Sequence, residues 1–125
     1  MHYRLKHMKQ SSIKIDVTLD KNKIPQQIRW TADEADPLLP MEAKAMMLSF
    51  SDGTDKSALR IDLWTKEMMV DEMGDFFYQT LVTMADAYQR STNQKEPAED
   101  LKKFAADFYR KSREMLEQTS MAKKP

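Results

Sequence analysis

With 125 residues, 20 basic and 20 acidic side chains and a formal net charge of zero, the chain is sized for one domain with a real core. It has no overall field to draw in nucleic acid or an anionic membrane. Cysteine is absent, which excludes disulfides, thiolate metal sites and thiol nucleophiles and makes the cytoplasm the default compartment.

The first ten residues, MHYRLKHMKQ, are basic but lead into polar alternation instead of the apolar run of a signal peptide. Residues 1–10 therefore read as a flexible extension. Met8 is a second candidate start, so no function is placed on residues 1–7. Ile13, Ile15, Val17 and Leu19 alternate with Lys14, Asp16 and Thr18, the period of a half-buried strand, and DKNK follows as a turn. Ile24, Gln26, Ile28 and Trp30 continue on a returning strand, with Pro25 near its start where a missing N–H does least harm; Trp30 is expected in the core. Thr31 to Pro40, acidic and with two prolines, reads as a connection. Met46, Leu48 and Phe50 mark a third strand, SDGTDK a loop in which Gly53 supplies a positive φ, and Ala58 to Trp64 a fourth.

These strands make an antiparallel meander with two distinct faces. One carries Ile13, Ile15, Val17, Ile28, Met46, Leu48, Phe50, Leu59, Ile61 and Leu63 and should receive helices. The other carries Lys14, Asp16, Gln27, Arg29, Met47, Ser49, Arg60, Asp62 and Trp64.

Ser57 to Arg90 joins the fourth strand to a long amphipathic helix. Its apolar positions, Met69, Val70, Met73, Phe76, Phe77, Leu81, Met84, Ala85 and Tyr88, cover roughly half the helix circumference, wider than a stripe that docks on one neighbour. Ser91 to Glu96 breaks the pattern, and Pro97 is expected as the first residue of a second helix, with Glu99 and Asp100 favouring its N-terminus. Leu101, Phe104, Ala105, Phe108, Tyr109, Ser112, Met115 and Leu116 share one side of it. The expected fold is α+β: a four-stranded antiparallel β-meander with a C-terminal two-helix hairpin packed on one face. It occupies residues 11–118 as a single domain, with 119–125 as a disordered tail. No apolar run approaches the ~20 residues that span a bilayer.

Catalytic groups are scarce. Two isolated glycines, Gly53 and Gly74, fit neither phosphate-cradling fingerprint, and the two imidazoles, His2 and His7, lie in the terminal extension, so no triad, cofactor or metal is expected. Asp71, Glu72, Asp75 and Asp86, with Gln79, fall opposite the apolar arc of the long helix. They read first as a solvated face, then as a partner surface, and only last as an acid/base pair or cation site. Trp64 and Met47 point to the polar side of the sheet beside Arg29 and Asp62, where an apolar patch calls for a cover or a partner. The seven aromatics of the helices, Phe76, Phe77, Tyr78, Tyr88, Phe104, Phe108 and Tyr109, read as core before a base-stacking platform. The eleven methionines read mostly as adaptable core filler.

The run RIDLWTKEMMVDEMGDFFYQTLVTMADAYQR, with IDVTLDKNKIPQQIRW and EAKAMMLSFSD before it, resembles the gliding motility protein GldC family from about Ser12 to about Arg90. The resemblance implies a process, bacterial gliding and the secretion machinery linked to it, and supplies no reaction and no catalytic residues. The expected function is a cytosolic non-catalytic accessory protein working through protein partners as an adaptor or assembly factor, with a homodimer favoured over a monomer and no nucleic acid. The alternative is a small-ligand-binding or carboxylate-based hydrolytic protein with a pocket between sheet and helices.

Overall fold

The structure is a computed structural model that describes residues 8–34, 39–53, 58–119 and 123–125. In chain order the elements are β1 (Ile13–Leu19), β2 (Pro25–Ala32), β3 (Met41–Ala43), β4 (Ala45–Ser51), β5 (Ala58–Trp64), α1 (Val70–Thr92) and α2 (Lys95–Thr119). The α+β class and the C-terminal helix pair are as expected. The single four-stranded meander is not: the strands form two antiparallel sheets, β1-β2-β3 and β4-β5.

The cause lies at Lys44. The third strand of the expected meander is a longer run, Met41 to Ser51, whose first three residues pair with β2 and whose last seven pair with β5. Lys44 belongs to neither ladder and separates the residues that pair with β2 from those that pair with β5. One extra residue of this kind bends a strand and switches its ladder, as at the corners of two-sheet folds. The break is secured where the Thr65 N–H donates to the Lys44 carbonyl at 2.8 Å.

The chain divides into two compact units between Glu67 and Met68. In the β unit, β1 and β2 pair Ile15 with Trp30 and Val17 with Ile28, and β2 and β3 pair Ile28 with Ala43 and Trp30 with Met41. Lys14, Asp16, Gln27 and Arg29 take the opposite face, as read from the sequence, and Glu42 joins them opposite Arg29. Ile28 is buried, 1% exposed, at the centre of three strands. Trp30 shares its face but is exposed at the sheet end, so it is not the core residue expected. The β1–β2 turn is organised by Asp20, whose Oδ1 accepts the N–H groups of Asn22 at 2.7 Å and Ile24 at 3.0 Å, with Lys23 left-handed at φ 63°. Lys66 forms an ion pair with the same carboxylate. Gly53 takes the positive φ expected of it, 79°.

In the helical unit, α1 begins where the Glu72 carboxylate accepts the Met69 N–H at 3.1 Å, half of a capping box. It ends at Asn93 in the left-handed conformation, φ 57°, with the Asn93 N–H on the Gln89 carbonyl at 2.8 Å. Two residues connect the helices, and α2 begins at Lys95, so Pro97 is its third residue and not its first. Proline is still tolerated there, because the N–H groups of the first turn have no intrahelical partner.

The helices run antiparallel, as their contacts show: Gly74 meets Ser112, Phe77 meets Phe108 with ring centroids 6.2 Å apart, Tyr78 meets Tyr109 at 4.8 Å, and Asp86 pairs with Lys102 at 2.7 Å. Small residues set the approach. Ala85, Ala98 and Ala105 are buried, and a Cβ placed on Gly74 would stand 2.5 Å from the Ser112 hydroxyl. Among the described residues no helix is long and apolar enough to cross a membrane.

Candidate functional site

The β4–β5 ladder decides where the sheet-borne candidates stand. Met47 lies opposite Asp62 and Trp64 opposite Ala45, so Met47 and Trp64 are diagonal neighbours on one face, within reach of large side chains. Ser49 and Arg60 continue that face. Trp64 is 46% exposed and Met47 half-buried. Asp62 is fixed by Arg60, whose guanidinium reaches its two oxygens at 2.9 and 3.3 Å. The result is an indole and a thioether beside a formally neutral ion pair: an apolar patch with a polar margin, the composition of a contact surface.

Arg29 does not join this group. It belongs to the three-stranded sheet, between Asp16 and Glu42 in register, and its nearest acidic partner is Glu42 at 3.7 Å. Glu42 also accepts from the Gln27 amide at 2.7 Å, so the polar face there is cross-linked to itself.

Asp71, Glu72 and Asp75 sit together on the first turns of α1 and are half-buried instead of solvated. For two of them the reason is local. Asp71 accepts the Glu72 N–H at 2.9 Å and Glu72 caps Met69, both favoured by the positive end of the helix. Oδ1 of Asp75 is buried and has no hydrogen-bond partner among the described residues. Asp86 departs from the expected acidic face: it pairs across the hairpin with Lys102. Three of the seven aromatics expected in the core, Phe77, Tyr88 and Phe104, are exposed instead.

Each unit also has a hollow. One of about 600 Å³ lies in the β unit, where Gln26, Glu42, Lys44, Thr65 and Glu67 are among its lining residues. The other, about 390 Å³, lies at the joined ends of α1 and α2 against Met84, Tyr88, Pro97 and Leu101. Sequence reading missed the first, because it is shaped by the turn of the chain at Lys44, for which an unremarkable lysine gives no signal. Among the described residues no group of three His, Cys, Asp or Glu is placed to hold a metal ion, and His2 and His7 lie outside the described residues.

The chain is a small α+β protein with two antiparallel sheets and a C-terminal helical hairpin. Residues 25–114 match the family described as Gliding motility-associated protein GldC-like. That span is more than half of the chain, so the protein belongs to this family. The match begins at β2 and continues through most of α2, later at both ends than the stretch that carried the resemblance. No curated protein and no solved structure matches the chain.

Proposed function

We propose that the protein is a non-catalytic accessory factor of bacterial gliding and of the secretion machinery linked to it, acting in the cytoplasm through protein–protein contact as an adaptor or assembly factor. Membership of the GldC-like family supports the process. The observation that carries the contact role is the exposed Trp64 beside Met47 on an otherwise polar sheet face, since tryptophan and methionine are common at the centres of interfaces. The half-buried acids Asp71 and Asp75 offer a second surface of opposite character, suited to a basic partner.

Crosslinking with mass spectrometry in a gliding host, repeated with Trp64→Ala and with Asp71 and Asp75 both changed to Lys, tests this reading. Loss of a defined set of crosslinks in one variant is expected. Unchanged crosslinks in both would remove both surfaces.

A second reading is favoured by the hollow beside Thr65, whose lining of amides, carboxylates and a lysine fits a small polar ligand. Protection of Gln26 and Thr65 signals in an NMR screen of polar metabolites would favour it; their indifference to every compound would end it.

A further inference from the structure

The helical hairpin lacks something that its own residues do not supply. Among its described residues the buried apolar side chains are Met68, Ala85, Ala98 and Ala105, so two helices of 23 and 25 residues meet without fully burying one aromatic or leucine. Helices normally bury an apolar stripe against a second layer.

The uncovered side chains lie together. Phe77, Met84 and Tyr88 recur at the spacing of one face of α1, and Phe104 and Met115 at that of one face of α2. The Phe77–Phe108 contact and the hollow shared by Met84, Tyr88, Pro97 and Leu101 place the two stripes on the same side of the hairpin. Those five side chains are 39% to 61% exposed. At about 200 Å² for a large side chain this is roughly 500 Å² of apolar surface, the upper end of what a soluble monomer leaves bare.

We propose that this face is covered by the same face of a second copy of the chain, so that two hairpins close a four-helix bundle. Three observations select a copy over an unrelated helix. The area matches: a stable interface takes about 800 Å² per partner, of which a homodimer makes about two-thirds apolar. The shape is self-complementary, because an antiparallel hairpin with a two-residue connection is half of an up-down bundle, and a two-fold axis sets each stripe against its equivalent. The charge permits it: the chain is neutral, Thr83 and Ala87 on the α1 edge of the stripe are uncharged, and on the α2 side Asp107 and Lys111, which flank Phe104 at helical spacing, pair with each other at 3.2 Å. None of the side chains that carry this dimer belongs to the Trp64 surface.

Sedimentation equilibrium of the full chain, from nanomolar to micromolar concentration, is the test, with Phe104→Lys and Met84→Lys as exposed-site variants and Trp64→Ala as a control. The expected result is a species of twice 14.6 kDa, with the dimer Kd raised about tenfold or more in each lysine variant and unchanged in Trp64→Ala. Circular dichroism checks that the variants keep their helices. Crosslinking of mixed isotope-labelled and unlabelled wild-type protein, which needs no variant to fold, should join α2 peptides of two copies. A monomer at every concentration would overturn the proposal, as would a dimer indifferent to both lysines or inter-copy crosslinks confined to the strands.

Discussion

Ile28 and Gly74 show how differently the two halves of the chain are held. In the β unit a branched aliphatic side chain fills the space between three strands, and the ladder around it keeps register because a one-residue slip would turn every apolar side chain to the wrong face. In the helical unit the critical position has no side chain, and order comes from how closely two backbones approach. The β unit should therefore be damaged by removing atoms and the hairpin by adding them.

Ile28→Ala breaks the first half of this contrast and should have the largest effect, about 3 kcal/mol of lost stability, since it strips a buried side chain and leaves a cavity. Urea unfolding gives the magnitude, and hydrogen exchange should show faster opening of β1, β2 and β3. Ile13→Ala, at a residue 73% exposed on the same face, should cost far less. Equal costs would mean that burial is not what distinguishes the two positions.

Gly74→Ala tests the second half. Alanine is the better helix former by about 1 kcal/mol, so in an unconstrained helix the change would stabilise. Here the new methyl meets the Ser112 hydroxyl at 2.5 Å, and overpacking of this kind costs about 1–3 kcal/mol. A net loss of about 1 kcal/mol is expected. Adding Ser112→Ala should reverse its sign, because the serine Cβ stands back at 3.7 Å. A double-mutant cycle with no coupling between the two positions would show that the helices do not cross there.

This contrast also explains what the sequence displays and what it hides. Alternation along Ile13–Leu19 and Ala58–Trp64, and the 3.6-residue recurrence along Val70–Thr92, are repeated signals, and each yielded an element of the right type. The faces of Met47, Asp62 and Trp64 followed from the same parity. Lys44 left no such trace, because a one-residue irregularity looks like any polar residue between apolar neighbours, yet it divides one sheet into two. Gly74 is visible as a glycine that fits no phosphate-cradling fingerprint. Its cost inside a helix was the available clue to a close crossing. The exposure of Phe77 and Phe104 was illegible for another reason: periodicity shows which side chains share a stripe, not whether anything lies over it.

Asp20 gives the smallest of the three effects and carries the contrast into electrostatics. The hydrogen bond from Lys66, then those from the Ile24 and Asn22 amides, hold the Asp20 carboxyl below its ordinary range. Asp107 on α2 is lowered as well, by Arg110 first and Lys111 second, but both of those partners lie within one helical turn on an exposed face, where such pairs contribute little and salt weakens them. Asp20 closes a hairpin and is 12% exposed at its side chain. For a carboxylate lowered by folding, the stabilisation is fully present above the unfolded value near 4 and disappears as pH falls through the folded value. Asp20→Asn keeps an oxygen for the turn and loses the charge. Its urea midpoint should therefore fall below wild type at neutral pH, and the two should converge in acid below the folded value. Asp107→Asn should show a smaller gap that shrinks on adding salt. An Asp20→Asn deficit that stayed constant through the acid range would mean that turn geometry, and not the Lys66 charge pair, is what the carboxylate contributes to the β unit.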